Sequence, residues 1–398
     1  MEKICIVGAG YVGMSMAVML SRKNSVSIVE VDTNKVRLVN TKKAPIRDEK
    51  MEKVLQSETL NLYATTNSIG EYGKASVIVI AVPTDYSEEI DAFDTSLIDQ
   101  VVGEILSVNQ RATIVIRSTV PVGYMDQLQK KRNYAKFIYC PEFLRESSAF
   151  MDNLNPSRLI VGVDTENVDS LSEVDSFIEL MKQSIEQRDV NVMKVGFYEA
   201  EAIKLFSNAY LAMRVSFFNE LDNFCIQENL NTEEIIRGVC MDKRIGMHYN
   251  NPSFGFGGYC LPKDIRQLRT CYGKNEEKLF TAVIESNALR GDYIVEHIQN
   301  KVKTGQYVGI YRLVMKKNSD NCRNSSVLGI IKKMLHLHDR DKVIVYEPSL
   351  KQEDTEWRVI NDLDLFKKKA DLIIANRIDS KLEDVLDKVY TRDVFGCD

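Results

Sequence analysis

The chain has 398 residues, 44% of them hydrophobic and 27% charged, which is the balance of a core-forming protein and not of a disordered one. With 57 acidic against 52 basic residues the formal net charge is −5, which excludes a general nucleic-acid binder carrying an overall basic field. Twenty Gly and 8 Pro exclude collagen-like and low-complexity chains, and no apolar run reaches the roughly 18 residues of a membrane span, so a cytoplasmic enzyme that contacts no membrane is expected.

The start, Lys3-Ile-Cys-Ile-Val7, reads as a strand and not as a cleavable leader. Compact apolar runs at Lys3–Val7, Val26–Val31, Ser76–Val82, Thr113–Arg117, Phe137–Cys140 and Arg158–Val163 predict buried strands. Stretches of helical length, such as Tyr11–Arg22 and Thr95–Val108, lie between them. Strand–helix alternation of this kind predicts a parallel sheet covered on both faces, a doubly wound α/β domain over residues 1–196.

A helical region is expected over residues 197–303. In Glu199–Gln227 the apolar residues Ile203, Phe206, Tyr210, Met213, Phe217, Leu221 and Phe224 recur at intervals of three and four, which predicts one helix of about eight turns. Such a helix suits a spine between domains or a dimer interface. Asn231, with Glu234 three residues on, marks the start of another helix. Strand-like runs return at Tyr307–Leu313, Val343–Tyr346 and Leu372–Ala375, giving a second, smaller α/β domain over 304–398. The fold class expected is α/β, with two Rossmann-like doubly wound domains joined by a long central helix.

The eight cysteines form no Cys-x-x-Cys pair, and of the four histidines only His336 and His338 are close together. Neither a disulfide framework nor a metal site is expected. With so little histidine, acid–base chemistry falls to Lys, Asp, Glu or Cys.

Gly8-Ala-Gly10-Tyr11-Val12-Gly13 follows the first strand and opens a helix. Glycines there permit a tight turn and close backbone approach, and the helix N-terminus attracts a pyrophosphate. Glu30 stands about 20 residues downstream, where an acid can accept from both ribose hydroxyls and repel a 2′-phosphate, so NAD is favoured over NADP. Asp32 competes for that role, and a glycine turn serving packing alone is the plain alternative. Val82-Pro83-Thr84 and Ser118-Thr119-Val120-Pro121 fall at predicted strand ends, where open sheets bind ligands, although both are also ordinary turn sequences.

Phe254-Gly-Phe-Gly257-Gly258-Tyr-Cys260-Leu-Pro262-Lys263-Asp264 carries the strongest chemical signal. Pro262 suits the first turn of a helix, which places Cys260 at that helix's positive end, a setting that enriches thiolate. The glycines let backbone amides converge on an anion, and Asp264 lies one turn beyond the thiol. A small buried hydrophobe is the bland reading of any single cysteine. Lys204 and Asn208 share one face of the long helix. They are either a snorkelling surface lysine and its neighbour or a buried pair suited to a developing alkoxide. Cys140-Pro141-Glu142-Phe143-Leu144-Arg145-Glu146 gathers two acids and an arginine after a strand, as a substrate loop or as exposed loop charges.

Taken together, GAGYVG, VPTD, STVPVG, PEFLRES, EAEAIKLFSNAYLAMRVSFFNELD, RIGMHYNNPSFGFGGYCLPKD, GIYRLVMKKNSDNCR and YTRDVFG resemble the UDP-glucose/GDP-mannose dehydrogenase family, most closely its short bacterial branch. The resemblance covers essentially the whole chain. It implies two successive NAD-dependent oxidations of a primary alcohol to a carboxylate, with UDP-glucose as substrate and UDP-glucuronate as product for an extracellular polysaccharide. Another sugar nucleotide, a UDP-N-acetylhexosamine or GDP-mannose, is the nearest alternative. A two-electron hydroxyacid dehydrogenase and a non-catalytic NAD or nucleotide-sugar sensor are more distant ones.

Carried over, Cys260 is the nucleophile, Lys204 and Asn208 stabilise an oxyanion, and Asp264 and Glu142 are bases or water holders, with Thr119 near that water. Gly8, Gly10, Tyr11, Val12, Gly13, Glu30, Lys35, Thr84, Thr119, Glu146, Lys263 and Arg323 would contact the cofactor. Glu142, Phe143, Leu144, Arg145, Lys204, Asn208, Tyr249, Asn250, Ser253 and Gly257 would contact the sugar nucleotide, Lys316 its diphosphate, and Arg392 its sugar or uridine side. Arg244 matches an arginine that the family donates to a neighbouring subunit, which implies a homodimer built on the long helix.

Overall fold

The computed structural model describes residues 1–273, 275–313, 325–337, 340–348, 350, 355 and 357–396. Its contacts divide the chain into two compact units, Met1–Phe206 and Ser207–Asp398.

In the first unit the strands are β1 (Lys3–Val7), β2 (Ser25–Val29), β3 (Leu62–Thr65), β4 (Val77–Ile80), a short hairpin β5 (Tyr86–Ser87) and β6 (Ala92–Phe93), β7 (Thr113–Ile116), β8 (Phe137–Tyr139), β9 (Arg158–Val163) and β10 (Asn191–Gly196). Apart from the hairpin they form one sheet in the order β10-β9-β8-β7-β4-β1-β2-β3. The neighbours are parallel except β8 and β9, which meet antiparallel at Tyr139 and Gly162. Alternation explains why both faces are covered. Ile4 and Ile6 of β1 pack into one core with Met14 and Val18, while Cys5 and Val7 enter the other with Ile78 and Ile98. Sequence order reverses on either side of β1, so the crevice for a ligand lies at its carboxyl end.

The second unit carries β11 (Val308–Tyr311), β12 (Val343–Tyr346), β13 (Arg358–Val359), β14 (Leu372–Ala375) and β15 (Val389–Tyr390), ordered β13-β12-β11-β14-β15 and parallel throughout. Helices Thr232–Cys240, Cys260–Cys271 and Leu279–Gln299 precede this sheet. Asn231 caps the first of them, its side chain accepting from the Glu234 amide at 3.3 Å. The expected helical region and C-terminal domain share a core, because Phe254, Ile294 and Ile298 pack directly on Val308, Ile310 and Val343. Residues 241–259, expected as part of the helical stretch, hold only short turns.

The long helix spans Phe197–Gln227, 31 residues, and the boundary between the units falls inside it. Its burial does not follow the apolar stripe, for Leu205, Ala209, Ala212 and Phe218, outside it, are buried. Phe206, Tyr210, Phe217 and Phe224 are 45–56% exposed, whereas Glu201, Lys204, Asn208, Ser216, Asn219 and Asp222 are buried. No helix among the described residues is long and apolar enough to cross a membrane.

Candidate active site

In the first unit, the chain after β1 turns at Gly8, whose φ is +99° and where a Cβ would stand 2.6 Å from the Ala81 carbonyl. A Cβ on Gly13 would lie 1.9 Å from the Gly8 oxygen, so the helix Tyr11–Ser21 can pack this close only without one. Gly10 is the N-cap of that helix, makes no side-chain cap bond, and faces open space where its Cβ would be. The opening turn, with Tyr11 and Val12, thus starts without a side-chain cap, the kind of helix end at which anions bind.

Glu30 stands just past β2 and is 9% exposed. Its oxygens accept from the Ala9 amide (2.9 Å) and the Asp32 amide (3.1 Å), with Lys35 Nζ 3.7 Å away. Asp32, the competing acid, instead caps the helix Thr33–Asn40 by accepting from Asn34 and Lys35. An uncapped helix start beside one well-held carboxylate fits the diphosphate and ribose of NAD. Thr84 Oγ1 donates to the Thr119 carbonyl at 2.7 Å, and Ser118 Oγ to the Val82 carbonyl at 2.7 Å, so these two strand-end loops are stitched together.

Lys204 is 2% exposed, which removes the snorkelling alternative. Its ammonium donates to the Glu142 carbonyl (2.6 Å) and the Glu142 carboxylate (2.8 Å), and stands 5.4 Å from the centre of the Phe143 ring. Arg158 covers the same ring at 4.0 Å. Burial pushes the Glu142 carboxyl up, but the charge and hydrogen bond of Lys204, the Leu144 amide and Arg117 together hold it below the usual carboxylate range. Arg145 reaches Asp152 through Nε (3.0 Å) and Nη2 (2.8 Å), and Glu146 opens a 3-10 turn.

Sequence reasoning passed over two residues of this unit. Arg117, 3% exposed, ends the strand-like run before Ser118 and donates to Cys140 Sγ (3.1 Å) and Asn153 (3.2 Å). Glu201 accepts from the Gly123 and Met125 amides at 2.5 and 2.7 Å, pinning the Ser118–Gly123 loop to the long helix; burial pushes its carboxyl up to about 7 against those donors. The signal that would have found Glu201 is its spacing from Lys204 and Asn208, which forms a polar face.

In the second unit, Cys260 is the first residue of the helix Cys260–Cys271, half-buried and not in a disulfide. The N-cap, Tyr259, makes no side-chain cap bond, and Pro262 sits in the first turn as expected. Asp264 is fully buried and accepts from Asn208 Nδ2 at 2.5 Å, with Lys263 Nζ at 3.1 Å from its other oxygen. Lys263 also stands 5.0 Å from the centre of the Tyr259 ring. Cys260 and Asp264 are one helical turn apart, so the buried polar chain runs beside the thiol's turn.

The segment leading to Cys260 is fastened along its backbone. Asn219 accepts from the Ser253 amide (2.8 Å), Asn376 from the Phe254 amide (2.9 Å) and Asn287 from the Phe256 amide (2.7 Å). Asn250 and Ser253 are buried there, Gly257 is half-buried, and Tyr249 adopts a left-handed φ of +49°. Arg244 has a side chain 90% exposed and pairs with Asp242. Arg392, expected toward the sugar nucleotide, has its guanidinium on Asp222, with Nε at 2.9 Å. Lys316 and Arg323 lie outside the described residues.

Three family models match in succession: the UDP-glucose/GDP-mannose dehydrogenase family NAD binding domain over residues 2–182, its central domain over 198–289, and its UDP binding domain over 309–395. The UDP-glucose 6-dehydrogenase of Streptococcus pneumoniae is 43% identical over 395 residues, 99% of each chain. That of Campylobacter jejuni is 43% identical over 399 residues and the full length of both. Among solved structures, a UDP-glucose dehydrogenase from the archaeon Pyrobaculum islandicum superposes with a TM-score of 0.80 at 23% identity, covering 94% of this chain and 90% of its own. A UDP-D-ManNAc dehydrogenase from Pyrococcus horikoshii gives 0.81 at 20%, covering 98% and 93%; both likenesses concern the fold.

Proposed function

The chain belongs to the UDP-glucose/GDP-mannose dehydrogenase family, and within it we propose that it oxidises C6 of UDP-glucose twice to give UDP-glucuronate for an extracellular polysaccharide. The observation that carries the chemistry is Cys260 opening an uncapped helix, one turn before a buried Asp264 bonded to Asn208. Neither a sensor nor a two-electron hydroxyacid dehydrogenase needs a nucleophile in that setting.

Gly8–Gly13, Glu30 and Lys35 would hold NAD, which would supply the hydride acceptor for each oxidation. Lys204 and Asn208 stabilise the oxyanion that forms when the C6 hydroxyl gives its proton to water, and loss of the first hydride from C6 leaves the aldehyde. Cys260 Sγ then bonds to the aldehyde carbon as a thiohemiacetal, and loss of the second hydride from that carbon leaves a thioester. Asp264 and Glu142 orient the water that breaks the C–S bond, which returns the thiol and frees the carboxylate. Holding the aldehyde on sulfur prevents its escape between the steps. Thr119 and Glu146 serve the same water and the cofactor side, and Asn250, Ser253, Phe143 and Leu144 receive the sugar nucleotide. With purified full-length protein, two NADH should appear per UDP-glucose consumed, with no turnover of GDP-mannose or a UDP-N-acetylhexosamine. Preferential oxidation of either rival overturns the assignment.

The exposed Phe206, Tyr210, Phe217 and Phe224 support a second copy of this chain as the partner of the long helix. The protein should sediment as a dimer and Phe217→Glu as a monomer; a monomeric wild-type protein rules this interface out.

A further inference from the structure

Asp222 stands at a junction that the chemistry above does not use. It is fully buried on the long helix and Arg290, on Leu279–Gln299, is 1% exposed. Arg290 Nη2 donates to one Asp222 oxygen at 2.5 Å, and Arg392 Nε donates to the same oxygen at 2.9 Å. The other oxygen takes the Thr232 hydroxyl at 2.9 Å and a second bond from Arg392. One carboxylate thus pairs with two guanidinium groups from distant parts of the sequence, and they in turn hold its carboxyl below the usual range against burial.

Each arginine has a further consequence. Arg290 Nε donates to the Ser253 carbonyl at 2.9 Å. Arg392 precedes Asp393, which accepts from Asn251 Nδ2 at 2.6 Å. Arg290 thus bonds residue 253 directly and Arg392 is tied to residue 251 through its chain neighbour Asp393, in the segment that carries Ser253 and runs on to Cys260. A buried guanidinium without its anion reorganises toward water, so removing the Asp222 charge releases both holds.

We propose that Asp222 is a positioning residue which, through Arg290 and Arg392, fixes the segment 250–256 in the conformation that receives the sugar nucleotide. The proposal rests on the function proposed above and adds a residue that touches neither substrate nor cofactor. The substitution Asp222→Asn keeps the shape and removes the charge. In the full-length protein it should raise KM for UDP-glucose about tenfold while leaving KM for NAD unchanged. Amide hydrogen exchange, measured without ligand, should accelerate in 250–256 and 389–396 and stay unchanged in the sheet of the first unit.

Loss of correctly folded molecules alone would lower the apparent kcat and leave both KM values in place, and that result overturns the proposal. Unchanged exchange in 250–256, or faster exchange with an unchanged KM for UDP-glucose, overturns it equally. If wild-type protein fails to oxidise UDP-glucose, the proposed function falls, and the exchange comparison alone then decides whether Asp222 anchors the segment.

Discussion

Cys260→Ala is expected to abolish formation of the carboxylate, lowering NADH production from UDP-glucose by about a thousandfold or more, while the protein stays folded and binds both ligands. The side chain is half-buried at the first position of its helix, so deleting the sulfur opens no core cavity and leaves the Asn208–Asp264 bond in place. What disappears, on the proposed mechanism, is the bond that converts an aldehyde into a second hydride donor. Any residual turnover should stop after one oxidation, at most one NADH per sugar, with aldehyde trappable in solution by a hydrazine. Cys260→Ser separates nucleophilicity from shape, because a hydroxyl can still add to the aldehyde but yields an oxygen ester that water cleaves more slowly. Mass spectrometry of that variant after mixing should find the chain heavier by one acylated sugar nucleotide. Full activity in Cys260→Ala, or two NADH per sugar at any rate comparable to wild type, would remove the covalent scheme.

The sequence reached the architecture wherever a local pattern carried it. Alternation made β1 readable as Lys3–Val7 with both faces buried, and Gly8–Gly13 announced the turn that follows it. Strands β3 and β10 escaped notice for a physical reason. Leu62–Thr65 has only Ala64 fully buried, and Asn191–Gly196 is an edge strand with no buried residue, so neither shows a compact apolar run. The long helix was legible in extent but not in orientation, because its exposed side carries aromatics and its buried side mixes polar residues such as Lys204 and Asp222 with Leu205, Ala209 and Phe218. A polar side chain can be buried only against a partner, and the partners lie far off in sequence: Glu142 is 62 residues from Lys204, and Arg392 is 170 from Asp222. No spacing rule reaches that distance. The Cys260 segment was the exception, since a proline and glycines within one short stretch set the helix start that puts the thiol where it is.

Lys204→Met is expected to damage the protein in two separable ways. The ammonium and the Glu142 carboxylate are 3% and 8% exposed at the side chain and 2.8 Å apart. Removing one partner of a buried pair leaves the other charged and unpaired, which costs about 3–5 kcal/mol of stability. Activity should fall about a hundredfold or more as well, because the proposed mechanism then lacks its ammonium for the developing oxyanion. The double variant Lys204→Met, Glu142→Gln removes both charges together. Its melting temperature should recover most of the loss, while its kcat should not, and that divergence distinguishes a chemical role of the Lys204–Glu142 pair from a merely structural one.

The pH dependence gives an independent reading of the same pair. The Glu142 carboxyl is held below its ordinary value of 4.5 in the folded chain, so the pair's contribution to stability is complete above that value and is lost as pH falls through the lowered one. Wild type should therefore lose stability on acidification more steeply than the double variant, which has no carboxylate at this position to protonate. Equal acid sensitivity in the two proteins would mean that Glu142 carries no coupled charge, and a double variant with wild-type turnover would take Lys204 out of the reaction altogether.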